Sequence, residues 1–439
     1  MSELPKGWVL SSIGEACLIE NGLRKPISLK ERANCQGIYP YYGATGIIDY
    51  LDSYTHEGEY VLIGEDGANL LSKSKALAFI ADGQYWVNNH AHTLRSLAGS
   101  PNQYLERYFN SLSLERWVTG SAQPKLTKKN LESIPYPLAP LPEQKRIVEK
   151  LDEVLAQVDT IKARLDGIPD LLKRFRQSVL ASAVSGKLTE EWRGGSRFVA
   201  KKYTLKDLTR MDIGHAFKSK EFSETGIRLL RGQNIEPGSL RWSETKLFPL
   251  EKLNSHQNLF INEGDIILAM DRPIVSAGLK LARAKKSDLP CVLVQRVARI
   301  KANELAEDDY VHLLLMDSSF SDYLFPNQTG SDIPHISGKQ IQAYSVSIPD
   351  KKEQKEIVRL VDQYFAFADT IEAQVKKAQA RVDNLTQSIL AKAFRGELVP
   401  QDDDDEPAEV LLKRIAQARK EAEALAKAAK KVAKAKRQK

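Results

Sequence analysis

Apolar residues in the stretch 143–186 recur at Ile147, Leu151, Val154, Val158, Ile161, Leu165, Ile168, Leu172, Phe175 and Val179, in alternating steps of four and three. That is the a/d spacing of a coiled-coil seam. A helix with so narrow an apolar stripe cannot bury it on itself and needs a partner helix. The same chain supplies one. Adding 210 to each position reproduces the seam at Ile357, Val361, Tyr364, Ala368, Ile371, Val375, Ala378, Val382, Leu385 and Ile389, without an insertion or deletion. The pattern predicts two long helices that pair with each other. Gly167 and Pro169 predict a kink or interruption in the first. Lys377 and Gln379 stand there in the second, which is expected to run through.

The two stretches also agree off the seam. EQK at Glu143 recurs at Glu353, DTI at Asp159 recurs at Asp369, and QSxLAxAxxGxL at Gln177 recurs at Gln387. Packing does not require identical surface residues, so this is a duplicated unit.

Between and before the helices lie two globular segments, residues 1–138 and 198–347. In the first, short β-rich runs bounded by Gly, Asn and Asp (IYPYYGATGIIDYL, EYVLIGEDGANL, KALAFIADGQYWVNN) precede a helical stretch near 103–117. The second differs in sequence but repeats the layout: EGDIILAM stands where GEYVLIGE stands. The loop from Thr329 aligns with the loop from Thr119 at the same 210 offset. The chain therefore divides into a globular unit (1–138), a helical spacer (139–192), a second unit (198–347), a second spacer (348–400) and a charged tail (401–439). The expected fold class is α+β: two α/β globular domains separated by two long helices that pair as an antiparallel coiled coil. A pseudo-twofold axis would then place the globular units at opposite ends. Some 43 helical residues span ~65 Å, between one and two turns of DNA at ~34–36 Å each.

Charge sharpens this. The net charge is +7 over 439 residues, and the tail, with eleven Lys/Arg against eight Asp/Glu, holds +3 of it. The body is not globally basic, so a nucleic-acid surface must be a local patch. The tail runs from an acidic stretch (402–406) to a basic end and reads as a solvated extension, partly disordered or helical, or as a docking or phosphate-contacting arm. No apolar run approaches the ~18 residues needed to span a bilayer. The N-terminus lacks the pattern of a secretory signal. Cys17, Cys35 and Cys291 are dispersed, which points to a reducing cytosol and a cytoplasmic protein without a metal site. His90 and His92 alternate on an expected strand and would share a face. No phosphate-binding loop and no methyltransferase [DNS]PP[YFW] motif are present. Pro349-Asp350 with Glu353-Gln354-Lys355 is too tightly spaced for a nuclease centre, so EQK reads as a helix start.

The alternation of units and helices, the Pro-rich lead into EQKxIV and the QSxLAxAxxGxL ending resemble the specificity subunit of type I restriction–modification enzymes. The helical segments LPEQKRIVEKLDEVLAQVDTIKARL and LLKRFRQSVLASAVSGKLTEEW are most similar to the enteric type IA group. The resemblance implies two target-recognition domains, each reading half of a split double-stranded DNA site. It implies helices that set the spacer and bind two methyltransferase subunits, with two further restriction/motor subunits completing a complex that cuts unmethylated DNA. The chain would bind no cofactor and catalyse nothing; S-adenosylmethionine, ATP and Mg would enter through its partners.

Base edges are read by Arg, Lys, Asn, Gln and His on loops, phosphates by Lys, Arg, Ser and Thr. The candidate DNA-binding residues are Arg24, Lys25, Tyr41, Tyr42, Asn88, Asn89, His90, Gln123 and Lys125 in the first unit. In the second they are Arg231, Gln233, Asn234, Arg272, Gln295, Arg296, His335 and Lys339. The coiled-coil core is assigned to Ile147, Leu151, Val154, Val158, Ile161, Leu165, Leu172, Phe175, Ile357, Val361, Tyr364, Ile371, Val375, Val382, Leu385 and Ile389. The competing reading is a coiled-coil adaptor whose globular units bind protein.

Overall fold

The computed structural model describes residues 4–120, 122–326 and 335–437. Two compact units emerge. Unit 1 comprises residues 1–165 and 377–439, and unit 2 comprises residues 166–376.

In unit 1 the strands order as Cys17–Ile19, Ala91–Ser96, Tyr60–Gly64 and Ala78–Ala81, antiparallel throughout. All five residues of Tyr60–Gly64 are buried. Val61 and Ile63 enter the main core while Tyr60 and Leu62 enter a second cluster, as the period of two in a strand requires. A strand covered on both faces reads as an unbroken apolar run, which is why YVLIG shows no alternation. The second sheet orders Gly46–Leu51, Gln36–Gly43, Gln84–Val87 and His56–Glu57, with one parallel pairing. The predicted helix near 103–117 is realised as Asn102–Ser111 and stops at Leu112, whose backbone is extended.

Unit 2 repeats the plan. Thr209–Ile213, Val297–Ala302, Ile266–Ala269 and Leu281–Arg283 form the antiparallel four-stranded sheet. Ile266 and Leu268 face one core and Ile267 and Ala269 the other. Both units therefore mix helix and sheet, and this sheet recurs with the same strand order, while the second sheet of unit 2 has three strands instead of four. In each, a first strand pairs antiparallel with the strand that leads into a long helix: Val9–Ser12 with Pro135–Leu138, and Lys201–Thr204 with Ser345–Ile348.

The long helices are Leu141–Val184 and Lys351–Ala393. EQK lies in the first turn of each. Gln144 donates to the Ala139 carbonyl at 2.8 Å and Gln354 to the Pro349 carbonyl at 2.9 Å, so the same buried amide ties down both starts. Within unit 1 the helices run antiparallel: Lys162 pairs with Asp383 at 2.9 Å, and Ile147, Leu151 and Val158 share a core with Ile389 and Ala393. Within unit 2 they do so again, with Arg176 on Asp369 at 2.7 Å and Val179 in one core with Ile357 and Val361.

One sequence expectation fails here and two are narrowed. The first helix is not interrupted at Pro169. A proline removes only its own N–H and crowds one carbonyl, and Pro169 lies on an exposed turn. Ile161, Tyr364 and Leu385, assigned to the seam core, are 46%, 42% and 47% exposed. Two helices alone cover a narrow stripe, and residues on its flank stay open to water. Tyr364 keeps only an edge contact with the Phe175 ring, at 6.1 Å between centroids. Of the two readings of the tail, partly disordered or helical, the helical one holds: it carries the helix Ala408–Arg437, anchored in unit 1 by the buried Ala408, Leu411 and Ile415. Arg146 grips Asp405 with two bonds, at 2.6 and 3.2 Å, just ahead of it. Among the described residues, no helix is long and apolar enough to cross a membrane.

Candidate nucleic-acid interface

The central strand of unit 1 ends in a rim of loops sewn together by backbone bonds. The Glu65 N–H donates to the His90 carbonyl at 2.8 Å, and the Leu126 N–H donates to the Glu65 carbonyl at 2.7 Å. The Gly67 N–H reaches the Pro124 carbonyl at 3.0 Å, and Asp66 bridges antiparallel to Lys125. Thr119 and Lys125 close the last loop with reciprocal bonds of 2.9 and 2.7 Å. Residues 88–90, 64–67, 119–120 and 122–126 thus form one platform.

Beneath it sits Glu65. It takes a hydrogen bond from Arg24 at 2.6 Å and an ion pair from Lys125 at 3.2 Å. Burial opposes its charge, but the bonds from Arg24 and Lys125 and the nearby His92 ring together hold its carboxyl below the usual range. His92 is buried. Its Nε2 donates to the Leu126 carbonyl at 2.8 Å and its Nδ1 accepts from Asn21 at 2.9 Å. Burial lowers its pKa, and its two ring bonds make it a framework residue. His90 belongs to the turn before the strand and is half exposed, its Nδ1 2.9 Å from both Asp66 oxygens. The two histidines do not share a face, because the strand begins only at Ala91.

Unit 2 builds the same rim with other side chains. The Met270 N–H donates to the Arg296 carbonyl and the Ile336 N–H to the Met270 carbonyl, both at 2.9 Å. Asp271 bridges antiparallel to His335. Its carboxylate lies 3.1 Å from Arg296 and 2.9 Å from His335. Arg272, at φ +46°, stands where unit 1 has Gly67 at φ +109°, and Arg296 is left-handed too, at φ +61°. A left-handed non-glycine residue costs about 1–2 kcal/mol, and such strain persists where the surrounding bonds enforce it.

A family model described as the type I restriction modification DNA specificity domain matches residues 5–170 and again residues 200–379. The chain belongs to the type I restriction–modification specificity family. The specificity subunit of the Escherichia coli type I enzyme EcoDI is 30% identical over 422 residues, covering 91% of this chain and 90% of that protein. That of EcoKI from Escherichia coli strain K12 is 39% identical over 279 residues, and that of EcoBI is 35% identical over 296. These two matches take in 62% and 63% of this chain but only 59% and 61% of the relatives' lengths. Among solved structures, the HsdS subunit from Thermoanaerobacter tengcongensis has a TM-score of 0.53 at 19% identity, covering 90% of this chain and 98% of that one. A chain from a study of complex assembly and conformational transition in the type I R-M system reaches 0.65 at 18% identity, covering 90% and 100%. Both show the fold.

On this family framework the candidate readers divide. Lys25, Asn89, His90, Gln123 and Lys125 are exposed, and the last four lie on the unit 1 platform. Arg272, Gln295, Arg296, His335 and Lys339 are exposed in unit 2. The other candidates are bonded within their units, most of them away from the surface. Arg24 is spent on Glu65 and on the Ala91 carbonyl at 2.8 Å. Tyr41 packs against Leu51 and Trp86, and its hydroxyl accepts the Ile27 N–H at 3.1 Å. Tyr42 meets the Tyr85 ring edge-on at 5.4 Å. The buried Asn88 accepts the His90 N–H at 2.8 Å, and the buried Asn234 donates to the Arg241 carbonyl at 3.0 Å. Arg231 and Gln233 both engage Glu244, at 2.5 and 3.1 Å, although Gln233 remains exposed. Most of the loop from Thr329 lies outside the described residues. Asp66 and Asp271, which hold rim side chains, are not among the sequence candidates, because acidic residues do not advertise DNA contact. The alignment of GEYVLIGE with EGDIILAM, each running into an Asp, was the available signal. Among the described residues, no three His, Cys, Asp or Glu side chains gather into a metal-holding group.

Proposed function

We propose that this chain is the DNA-specificity subunit of a type I restriction–modification complex and that each unit reads one half of a bipartite double-stranded DNA site. Residues 1–138 and 198–347 act as the target-recognition domains, and residues 139–192 and 348–400 as the spacers. The observation that carries this reading is the recurrence of one platform, in the same topology, with different side chains on it. Two readers of two sequences need a common frame and unlike tips. Exposed cations and amides at loop ends suit base edges and phosphates. The antiparallel helix contacts within each unit support a two-stranded coiled coil with pseudo-twofold symmetry, which sets the spacer and docks two methyltransferase subunits. Two restriction subunits join for ATP-dependent cleavage. The chain itself is non-catalytic and cytoplasmic; S-adenosylmethionine, ATP and Mg are held by its partners.

Genome-wide mapping of methylated adenines, with and without this chain in a cell that has the methyltransferase partner, tests the proposal. A split motif that appears only with the chain is expected. Methylation that is unchanged by its loss, coupled with capture of a protein ligand by the globular units, would instead support an adaptor.

A further inference from the structure

A carboxylate is the least welcome group beside a phosphate backbone, yet both platforms are centred on one. Asp66 and Asp271 follow the central strand at the same place in each unit, and each is held by the same backbone bridge to the next loop. What each carboxylate holds has changed. Asp66 takes His90 on both oxygens at 2.9 Å. Asp271 accepts a hydrogen bond from Arg296 at 3.1 Å, and its other oxygen lies 2.9 Å from His335 Nδ1 without a hydrogen bond between them. The anchor is common while the anchored side chains differ. Arg272 and Arg296, the two non-glycine residues of unit 2 with positive φ among the described residues, both adjoin this anchor. Asp66 is only 18% exposed while His90 is 50% exposed, so the partner and not the acid is presented.

We propose that Asp66 and Asp271 are positioning residues of the two DNA readers. Each fixes one nitrogen of an imidazole or guanidinium and thereby aims the remaining donor edge at the duplex. His90, engaged through Nδ1, keeps Nε2 for a base or phosphate. Arg296, engaged through one Nη, keeps the rest of its fork. An unanchored side chain would have to surrender its rotamer freedom on binding, and pre-ordering removes that loss. This rests on the reading of the units as DNA readers.

The test uses the full chain in complex with its methyltransferase subunit. Methylation is measured on duplexes carrying the mapped site and on single-base variants in each half. Asp66→Asn should reduce discrimination in one half-site about tenfold, the scale of one well-made base contact, and leave the other half as in the parent. Asp271→Asn should do the reverse. Because Asp66 acts through His90, Asp66→Asn combined with His90→Ala should lose no more than either change alone. Parent-level discrimination in Asp66→Asn, equal loss at both halves, or additive losses in the double variant would overturn the proposal. If Asp66→Asn fails to fold, the exposed His90→Ala decides: the same one-half loss supports the assignment and unchanged discrimination refutes it. A parent complex that discriminates at neither half would bring down the DNA-reader reading itself.

Discussion

The two helix starts carry the same EQK and the same buried glutamine, but they treat the glutamate in opposite ways. Glu143 is buried in unit 1 and receives the Trp8 indole N–H at 2.9 Å. Burial pushes its carboxyl above the ordinary value of 4.5, against the pull of the Trp8 bond and of Arg146, while Asp405 adds to the rise. Glu353 is buried in unit 2 and receives Thr189 at 2.6 Å and the Arg193 guanidinium on the same oxygen. Arg193 in turn donates to Thr189 at 2.8 Å and lies over the Phe198 ring. A repeated sequence thus transmits the backbone geometry of a helix start without transmitting the partners of its glutamate. The partners are settled by whichever segment runs past: residues 187–199 in unit 2, the N-terminal residues in unit 1.

The contrast can be broken most drastically by exchange. Replacing residues 198–347 with a different recognition domain should change one half of the methylated motif completely and leave the other half untouched. A change in both halves on methylation mapping would end the idea of independent units. Next in size is the helix start. Glu353→Ala leaves Arg193 buried without its counterion and should destabilise unit 2 by about 3–5 kcal/mol in denaturant titration. Glu143→Ala strands one indole N–H and should cost about 1–3 kcal/mol; equal losses would erase the distinction.

The distinction also has a pH signature. A carboxyl whose folded pKa is raised binds its proton more tightly in the folded state. Its contribution to stability is therefore full below the unfolded value and is lost as pH rises through the folded value. The stability of Glu143→Gln relative to the parent should thus increase from pH 4 to pH 7, read by thermal melts, and a flat difference would count against a buried, reluctantly ionised Glu143. Smallest are the rim backbones. Gly67→Ala, at φ +109°, should cost about 1–2 kcal/mol. Arg272→Gly should gain about 1 kcal/mol or less, because glycine's extra freedom in the unfolded chain offsets the relieved strain.

The duplicated helices, their 210 offset and the layout of the units were legible in the sequence, because spacing along a helix or strand is a local property that packing has to respect. Burial at individual seam positions was not. Ile161 and Ile371 occupy matching positions, yet Ile161 is exposed while Ile371 is partly covered, since cover depends on what a distant segment lays over each. At the rim, residue type alone did not separate exposed side chains from those bonded into the framework. Arg24, Asn88 and Asn234 have the donors that DNA contact needs, but the loops that present such contacts must themselves be fastened, and these residues do the fastening. Asp66 and Asp271 could be seen only once three segments remote in sequence were placed side by side.

Each long helix is divided between the units, with residues 141–165 in unit 1 and 351–376 in unit 2. Unit 2 is one uninterrupted run of chain, and its core can close once residue 376 has left the ribosome. Unit 1 takes its first strands from residues before 100 yet lacks Ile389, Ala393, Leu411 and Ile415 until residue 415 has been made. The half translated first is therefore the half completed last, and a premature stop after residue 376 would strip the core of the N-terminal unit while sparing the other.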